Sequence, residues 1–446
     1  MTTDQAHPRA GLATGPATTS GDTLSGAAIP PRTEKADRSP LHCERHAAGQ
    51  CRSCPHLDVP TNEQLQAKQA RVAALLAGGG NPVPVRAWAP PAASAMEGFR
   101  NKAKMVVSGT VGAPILGILD GNGVGVDLRG CPLHMPVLRN ALGVLAGFVT
   151  RLGLEPYNVP QRRGELKHLL VTTSPDGDLM VRFVLRSQRQ VPELQAALPQ
   201  LQEALPGLAV VSANIQPVHQ AVLEGPEEIV LTEGPGGDRL LMRLNLPGSG
   251  VELPLWLPTR SFFQTNTAVA EVLYDQARQW ALELLKARAD TAEAVDEHRP
   301  LRVWDLFCGV GGFALALAGP GREVLGVELS ASAIDGARDS ARLMGLAPEQ
   351  ARFAAGDARV LDPGAASALG GAPDLLVVNP PRRGIGELAA AVEASGVRRV
   401  LYSSCNPASL ATDLAAMPSL QVVRARLFDM FPHTDHAEVL VELRRR

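Results

Sequence analysis

The sequence predicts an α/β protein: a doubly wound, Rossmann-like domain at the C-terminal end, preceded by an α+β block and a short cysteine-rich segment. Three observations carry that expectation. After residue 250, apolar runs of strand length alternate with helical stretches, as in "LRVWDLFCG", "EVLGVEL", "RFAAGDA", "DLLVVNPP" and "RRVLYSSC". Strands apolar on both faces belong to a parallel sheet covered by helices on both sides. Between about 84 and 250 the runs are separated by turns, "AKMVVSGTV" and "HLLVTTSPDGDLMVRFVL" among them, as in an antiparallel sheet. Finally, four of the six cysteines fall in the first third of a chain of 446 residues: Cys43, Cys51, Cys54 and Cys131.

The elements follow in order. Residues 1–40, rich in Ala, Gly, Thr, Pro and Ser, predict a disordered extension. Residues 41–83 hold the first three cysteines, then a helix through Leu65, Val72, Leu75 and Leu76, capped at Thr61 or Asn62 and ended by "GGGNPVP". Residues 84–250 form the central α+β domain, with helices at 135–152 and 191–205 and a hairpin loop at "SPDGD". Residues 251–446 open on an amphipathic helix in "SFFQTNTAVAEVLYDQARQWALELLKA" and a charged linker, "RADTAEAVDEHRP". The alternating strands and helices come next, with "VVRARLFDMFP" and "HAEVLVELRR" last.

Bulk properties exclude some classes. The chain is 45% hydrophobic and 20% charged, and no apolar run approaches the ~18–20 residues that span a bilayer. The first residues lack the apolar core of a secretory signal, so a cytoplasmic protein without a membrane partner is expected. A net charge of −2 gives no overall attraction for a polyanion. Basic clusters are local, at "FRNKAKM", "QRRGELKH", "PRRG" and the terminal "RRR", and each alone fits a solvated surface.

In doubly wound folds ligands lie beyond the carboxyl ends of the strands, where the informative residues fall. "VWDLFCGVGGFALALA" reads as strand, glycine turn and helix, but it lacks the full dinucleotide spacing, and Asp305 precedes the glycines, which disfavours NAD. Glu328 ends the next strand, where a carboxylate can accept both hydroxyls of a ribose. Asp357 ends the third, a place suited to an adenine amino group. One such acid could equally be a helix cap; three on successive strands point to an adenosine moiety, the pattern of S-adenosylmethionine-dependent class I methyltransferases.

At the other end of the site, "VLYSSCNP" puts Cys405 where an apolar strand gives way to a loop. Carbon 5 of uracil is a poor nucleophile, but a thiolate added at carbon 6 turns the ring into an enolate that is nucleophilic there. That chemistry needs an accessible cysteine of lowered pKa and a base to remove the carbon-5 proton. Glu438, in the apolar terminal strand of "HTDHAEVLVEL" where burial would raise its pKa, is the candidate base. Cys308 is expected to be an inert buried thiol.

These residues resemble the RNA uracil-C5 methyltransferases, in particular their 23S ribosomal RNA group. The resemblance runs from "CRSCPHL" nearly to the C-terminus through "GFRNKAKMVVSG", "RGCPL", "YNVPQRRGELKHLL", "NIQPVH", "SFFQTN", "WDLFCGVGGF", "VNPPRRGIG", "LYSSCNP" and "LFDMFPHTDHAEVL". It implies that Cys405 is the nucleophile and Glu438 the general base, that Gln264, Phe307, Glu328 and Asn379 contact S-adenosylmethionine, and that the partner is 23S rRNA, read by the central domain of a monomer. Asn379 stands where related enzymes carry Asp, which marks a subgroup. The spacing of Cys43, Cys51, Cys54 and Cys131 leaves a [4Fe-4S] cluster and structural zinc both open, with His42, His46, His56 and His134 nearby. The resemblance implies the iron–sulfur cluster, in a structural role.

Two rival functions follow from the same residues. Methyltransferases acting on exocyclic amines also use "NPP", but they follow it with an aromatic residue, where this chain has Arg382. A cluster-bearing RNA-binding protein with a vestigial cofactor fold would not bind S-adenosylmethionine.

Overall fold

The computed structural model describes residues 41–219, 222–234, 236–289, 299–360 and 371–446. The expected extension and most of the charged linker lie outside them. The described residues belong to one compact unit.

The cysteine segment contains α1 (Glu44–Ala47) and α2 (Thr61–Gly78). α2 begins where predicted, yet its cap is Pro60, with no side chain bonded to the first turn. Val72 and Leu76 bury its inner face in the same apolar cluster as Leu410 and Leu414. Next comes β1 (Trp88–Ala92), "WAPPA", which the sequence conceals because proline is a poor strand former. It survives as an edge strand, where a missing N–H leaves no ladder bond unmade.

The central region holds β2 (Lys102–Thr110), β3 (Ala113–Leu119), β4 (Gly125–Asp127), α3 (Pro136–Arg151), β5 (Leu166–Thr173), β6 (Leu179–Leu185), α4 (Val191–Ala204), β7 (Leu208–Ile215) and β8 (Glu227–Val230). Its sheet runs β4-β3-β2-β5-β6-β7-β8. Every pairing is antiparallel except β6–β7, which α4 joins as a crossover; parallel neighbours require such a connection. Alternation sends Ala103, Met105 and Val107 of β2 into a core with Leu138, Leu142 and Leu145 of α3, while Lys104 stays outside. The hairpin β9 (Arg239–Leu246) and β10 (Val251–Pro258) follows, so the boundary expected at 250 falls in its turn, between paired Leu246 and Val251.

The remainder is α5 (Thr267–Ala289), β11 (Leu301–Leu306), α6 (Gly312–Leu317), β12 (Arg322–Glu328), α7 (Ala331–Leu343), β13 (Ala351–Ala355), β14 (Leu375–Val378), α8 (Leu388–Ala394), β15 (Arg399–Ser404), α9 (Pro407–Ala415), β16 (Leu420–Phe428) and β17 (Glu438–Arg445). The eight-stranded sheet is ordered β1-β16-β17-β15-β14-β11-β12-β13. β17 runs antiparallel to both neighbours, and the other pairs are parallel. Consecutive residues enter opposite cores: Val303, Leu375, Val377 and Leu401 one, Trp304, Leu376, Val378 and Tyr402 the other. That is the doubly covered sheet the apolar runs predict, with its topological switch between β11 and β14.

Candidate active site

The carboxyl ends of β11, β12, β14 and β15 open into one cavity of about 610 Å³, and Gln264, Phe307, Glu328, Asn379, Cys405 and Glu438 all line it. Six residues spread over 175 positions of sequence are thus gathered by strand topology. Phe307 follows β11 with a left-handed backbone, φ 65°, an uncommon conformation for a bulky residue. Behind it Gly312 starts α6 so close to the Tyr274 ring that a Cβ would lie 2.6 Å from it. Asp305 sits wholly buried beneath this turn, one carboxylate oxygen accepting from the Ala314 N–H at 2.8 Å. Burial pushes its pKa up to about 8.

Glu328 accepts from the backbone N–H groups of Gly309 (3.3 Å) and Ser330 (3.0 Å), which fixes its carboxylate at the cavity wall. Asp357 also reaches the cavity, but its oxygens are engaged by the Arg359 guanidinium at 2.6–3.2 Å. That bond holds the carboxyl near pKa 2. The adenine contact expected of Asp357 therefore competes with Arg359. Gln264 is held through its main chain: Asn101 of "FRNK" donates to its carbonyl at 2.9 Å and to the Thr267 hydroxyl at 2.7 Å.

At the far wall, Glu438 is 1% exposed and accepts a bond from the Ser403 hydroxyl. Burial raises its pKa to about 7. Cys405 is half-buried, and its thiol is pushed up to about 11, first by burial and then by Glu438, with Arg382 acting the other way. The lowered thiol pKa expected from sequence is not found. A strand end close enough to the base to use it is also close enough to feel its charge and to lose water. Cys308 is buried with a strongly raised pKa, the inert thiol expected.

Cys43, Cys51, Cys54 and Cys131 line a separate cavity of about 470 Å³, together with His42, His46 and His134. Burial, then Cys131, Cys51 and Cys43, push the Cys54 thiol up to about 12. Among the described residues, no three Cys, His, Asp or Glu side chains are arranged to hold a single metal ion. Four sulfurs on one zinc would each lie about 2.3 Å from it, an arrangement not found among the described residues. His134 is buried and pushed down to about 4 by burial and nearby arginines, and His56 is turned away to Asp435 at 2.9 Å.

Comparison with known proteins shows the family. The profile of the tRNA (Uracil-5-)-methyltransferase family matches residues 367–446. The chain is 46% identical over 91% of its length, and 100% of theirs, to the 23S rRNA (uracil(747)-C(5))-methyltransferases RlmC of Yersinia pseudotuberculosis and Yersinia pestis. This chain belongs to the RNA uracil-C5 methyltransferases of the RlmC type. The crystal structure of Pyrococcus abyssi tRNA (uracil-54, C5)-methyltransferase with S-adenosyl-L-homocysteine shares the fold, with a TM-score of 0.66 at 21% identity over 88% of this chain and 85% of that one.

For a member of this family, several residues at the site escaped the reading of the sequence. Ser403 and Phe431 touch Glu438 or its cavity, and Phe262 projects at the rim, 71% exposed. The doubled aromatic in "SFFQTN" was a usable signal for Phe262. Asp413 had none: it accepts from the Ile385 and Gly386 N–H groups and from the Tyr402 hydroxyl at 2.6–3.2 Å, fixing the loop after Asn379. In the basic segment "QRRGELKH", Arg162 and Arg163 are exposed, while Lys167 turns inward to the Val218 carbonyl at 2.7 Å.

Proposed function

We propose that this protein transfers the methyl group of S-adenosylmethionine to carbon 5 of a uridine in 23S rRNA, at a site of the uracil-747 type named for its relatives. The observation that carries the proposal is the convergence of Cys405, Glu438 and the four cofactor candidates on one cavity. Cys405 gives up its proton to solvent and adds as the thiolate to carbon 6, and the displaced π electrons move toward the carbon-4 carbonyl as an enolate. Carbon 5 then attacks the methyl carbon, the S–CH₃ bond breaks and S-adenosylhomocysteine leaves. Glu438 takes the carbon-5 proton; the C5–H electrons restore the ring double bond and expel the thiolate. Gln264, Phe307, Glu328 and Asn379 hold the methyl donor, and the central domain reads the RNA. The enzyme acts as a monomer in the cytoplasm.

Cys43, Cys51, Cys54 and Cys131 would hold a [4Fe-4S] cluster. The meeting of the four thiols at one cavity supports a bound metal group there. It would supply a covalent cross-link between the cysteine segment and the central domain, and no electrons.

The test is covalent trapping. RNA carrying 5-fluorouridine at the target has no carbon-5 proton to lose, so the adduct cannot resolve. A band stable to denaturing gels is expected with the wild-type chain plus S-adenosylmethionine, and none with Cys405→Ala. Normal methylation without any trapped species would overturn the mechanism. No S-adenosylmethionine binding by calorimetry would favour the vestigial-fold reading.

A further inference from the structure

Two cavities meet at Cys405. Beside the 610 Å³ cavity lies a smaller one of about 210 Å³, bordered by Arg71, Arg382, Asn406, Asp435 and His436, and Cys405 and Arg382 line both. We propose that the smaller cavity is a subsite for the phosphodiester next to the target uridine, gripped by Arg71 and Arg382. The inference rests on the uracil-C5 reading above and extends it to how the nucleotide is held.

The connectivity of uridine supplies the argument. Carbon 6 is bonded to carbon 5 on one side and to N1, which carries the ribose, on the other. With carbon 6 at the Cys405 sulfur, carbon 5 must face the methyl donor in the larger cavity. The ribose and its phosphates must then leave on the opposite side, which is the smaller cavity. Electrostatics agree. The larger cavity has the carboxylates Glu328, Asp357 and Glu438 in its wall beside Arg359, Arg382 and Arg383, and Arg359 is already bound to Asp357, so Arg382, shared with the smaller cavity, is placed to draw the phosphate toward that side. The smaller one draws guanidinium groups from two distant segments, Arg71 on α2 and Arg382 after β14.

Among the described residues, no carboxylate lies within ion-pair distance of Arg382; its contact is His436 Nδ1 at 3.5 Å. Arg71 is loosely tied: it donates to the Asp435 carbonyl at 3.3 Å, and its nearest carboxylate oxygen is 3.9 Å away. Asp435 is the one carboxylate bordering the cavity, and its charge is spoken for first by His56 at 2.9 Å. Lys68 also reaches this wall but is committed to Asp429 at 2.6 Å and to the Phe431 carbonyl at 2.9 Å. Two forked donors flanking a cavity of this size match phosphate geometry.

The experiment uses the full-length, cluster-loaded protein and a 23S rRNA hairpin containing the target uridine, with and without an uncharged methylphosphonate at the phosphate flanking it. Arg71→Ala is expected to lower kcat/KM by about tenfold, chiefly through KM, and to reduce the salt dependence of binding by about 0.7 in log–log slope, one phosphate contact on a single strand. Arg71→Lys should recover most of the slope. On the methylphosphonate RNA, Arg71→Ala should bring no further loss. Asp435→Asn should tighten binding by removing a negative charge. The proposal is overturned if the losses from Arg71→Ala and from the neutral linkage simply multiply, or if Asp435→Asn weakens binding as Arg71→Ala does, the mark of a structural pair. Absence of methyl transfer to any uridine by the wild-type chain would instead defeat the underlying function.

Discussion

Burial makes the ionisation of Glu438 costly, and burial together with Glu438 makes that of Cys405 costly, and the pH behaviour follows from both. In the proposed mechanism Glu438 works as a base only when ionised, and burial raises its pKa to about 7. Turnover should therefore show an ascending limb near 7 on top of the continuing rise with Cys405 ionisation, and only the limb near 7 should vanish in Glu438→Gln. The same variant removes the negative charge that raises the Cys405 thiol, so alkylation of Cys405 by iodoacetamide at pH 8 should accelerate. Turnover should fall by at least ~10²-fold for want of a base, with methylated covalent complex accumulating, visible by mass spectrometry. Slower alkylation, or turnover within a few-fold of wild type, would remove Glu438 from its role. Stability carries the opposite sign. A carboxyl whose folded pKa is raised favours the native state at low pH, and that contribution is lost as pH rises toward 7, about 3 kcal/mol in all. Glu438→Gln should thus melt higher than wild type above pH 7 and equally near pH 4.

At the scale of elements, the loop 429–437 between β16 and β17 decides where Phe431 and Glu438 stand, and it is held mainly by α2 and the turn before it. His56 donates its N–H to the His433 carbonyl (3.1 Å), and His433 donates its own to Gln64 (2.8 Å). Lys68 and Asp429 form a pair with side chains 4% and 0% exposed. Breaking a buried pair from one side strands a charge, at about 3–5 kcal/mol. Lys68→Met should lower stability by that order in urea melts and raise hydrogen exchange at 429–437, and Lys68→Met/Asp429→Leu should recover much of both. Equal losses in the single and double variants would mean that the pair does not hold the loop.

This loop also marks where the sequence stops being legible. The seven strands β11 to β17 could be read because runs such as "DLLVVN" and "RRVLYSS" are apolar enough to be buried on both faces, and Cys405 and Glu438 because each interrupts such a run. The partners of Gln64 and Lys68 lie more than 360 positions away, and no periodicity records a contact of that range. β1 was hidden for a different reason: its two prolines contradict strand propensity, and only its edge position makes them harmless.

At the scale of the whole molecule, the three blocks seen in the sequence are interlaced rather than strung together. β1 pairs with β16 in the C-terminal sheet, α2 shares a core with α9, and Cys131, which follows β4 of the central sheet, meets Cys43, Cys51 and Cys54 at one cavity. A cross-link at those four cysteines would therefore bear on the active site through a short path: Cys54 to His56, His56 to His433, and on to the loop before Glu438. On the proposal that those cysteines hold a cluster, its removal should loosen the loop 429–437 before it disturbs the central sheet. After iron is stripped anaerobically with a chelator, amide exchange should rise at 429–437 and at 43–57 while β5 and β6, whose residues are largely buried, keep their protection. The affinity for S-adenosylhomocysteine should change little, because Gln264, Phe307 and Glu328 are anchored independently of α2, and turnover should fall with the exchange. Unchanged protection of 429–437 after complete iron loss would confine the cysteine segment to a role away from catalysis, whereas simultaneous loss of protection throughout would mean that the cluster holds the whole fold rather than this loop.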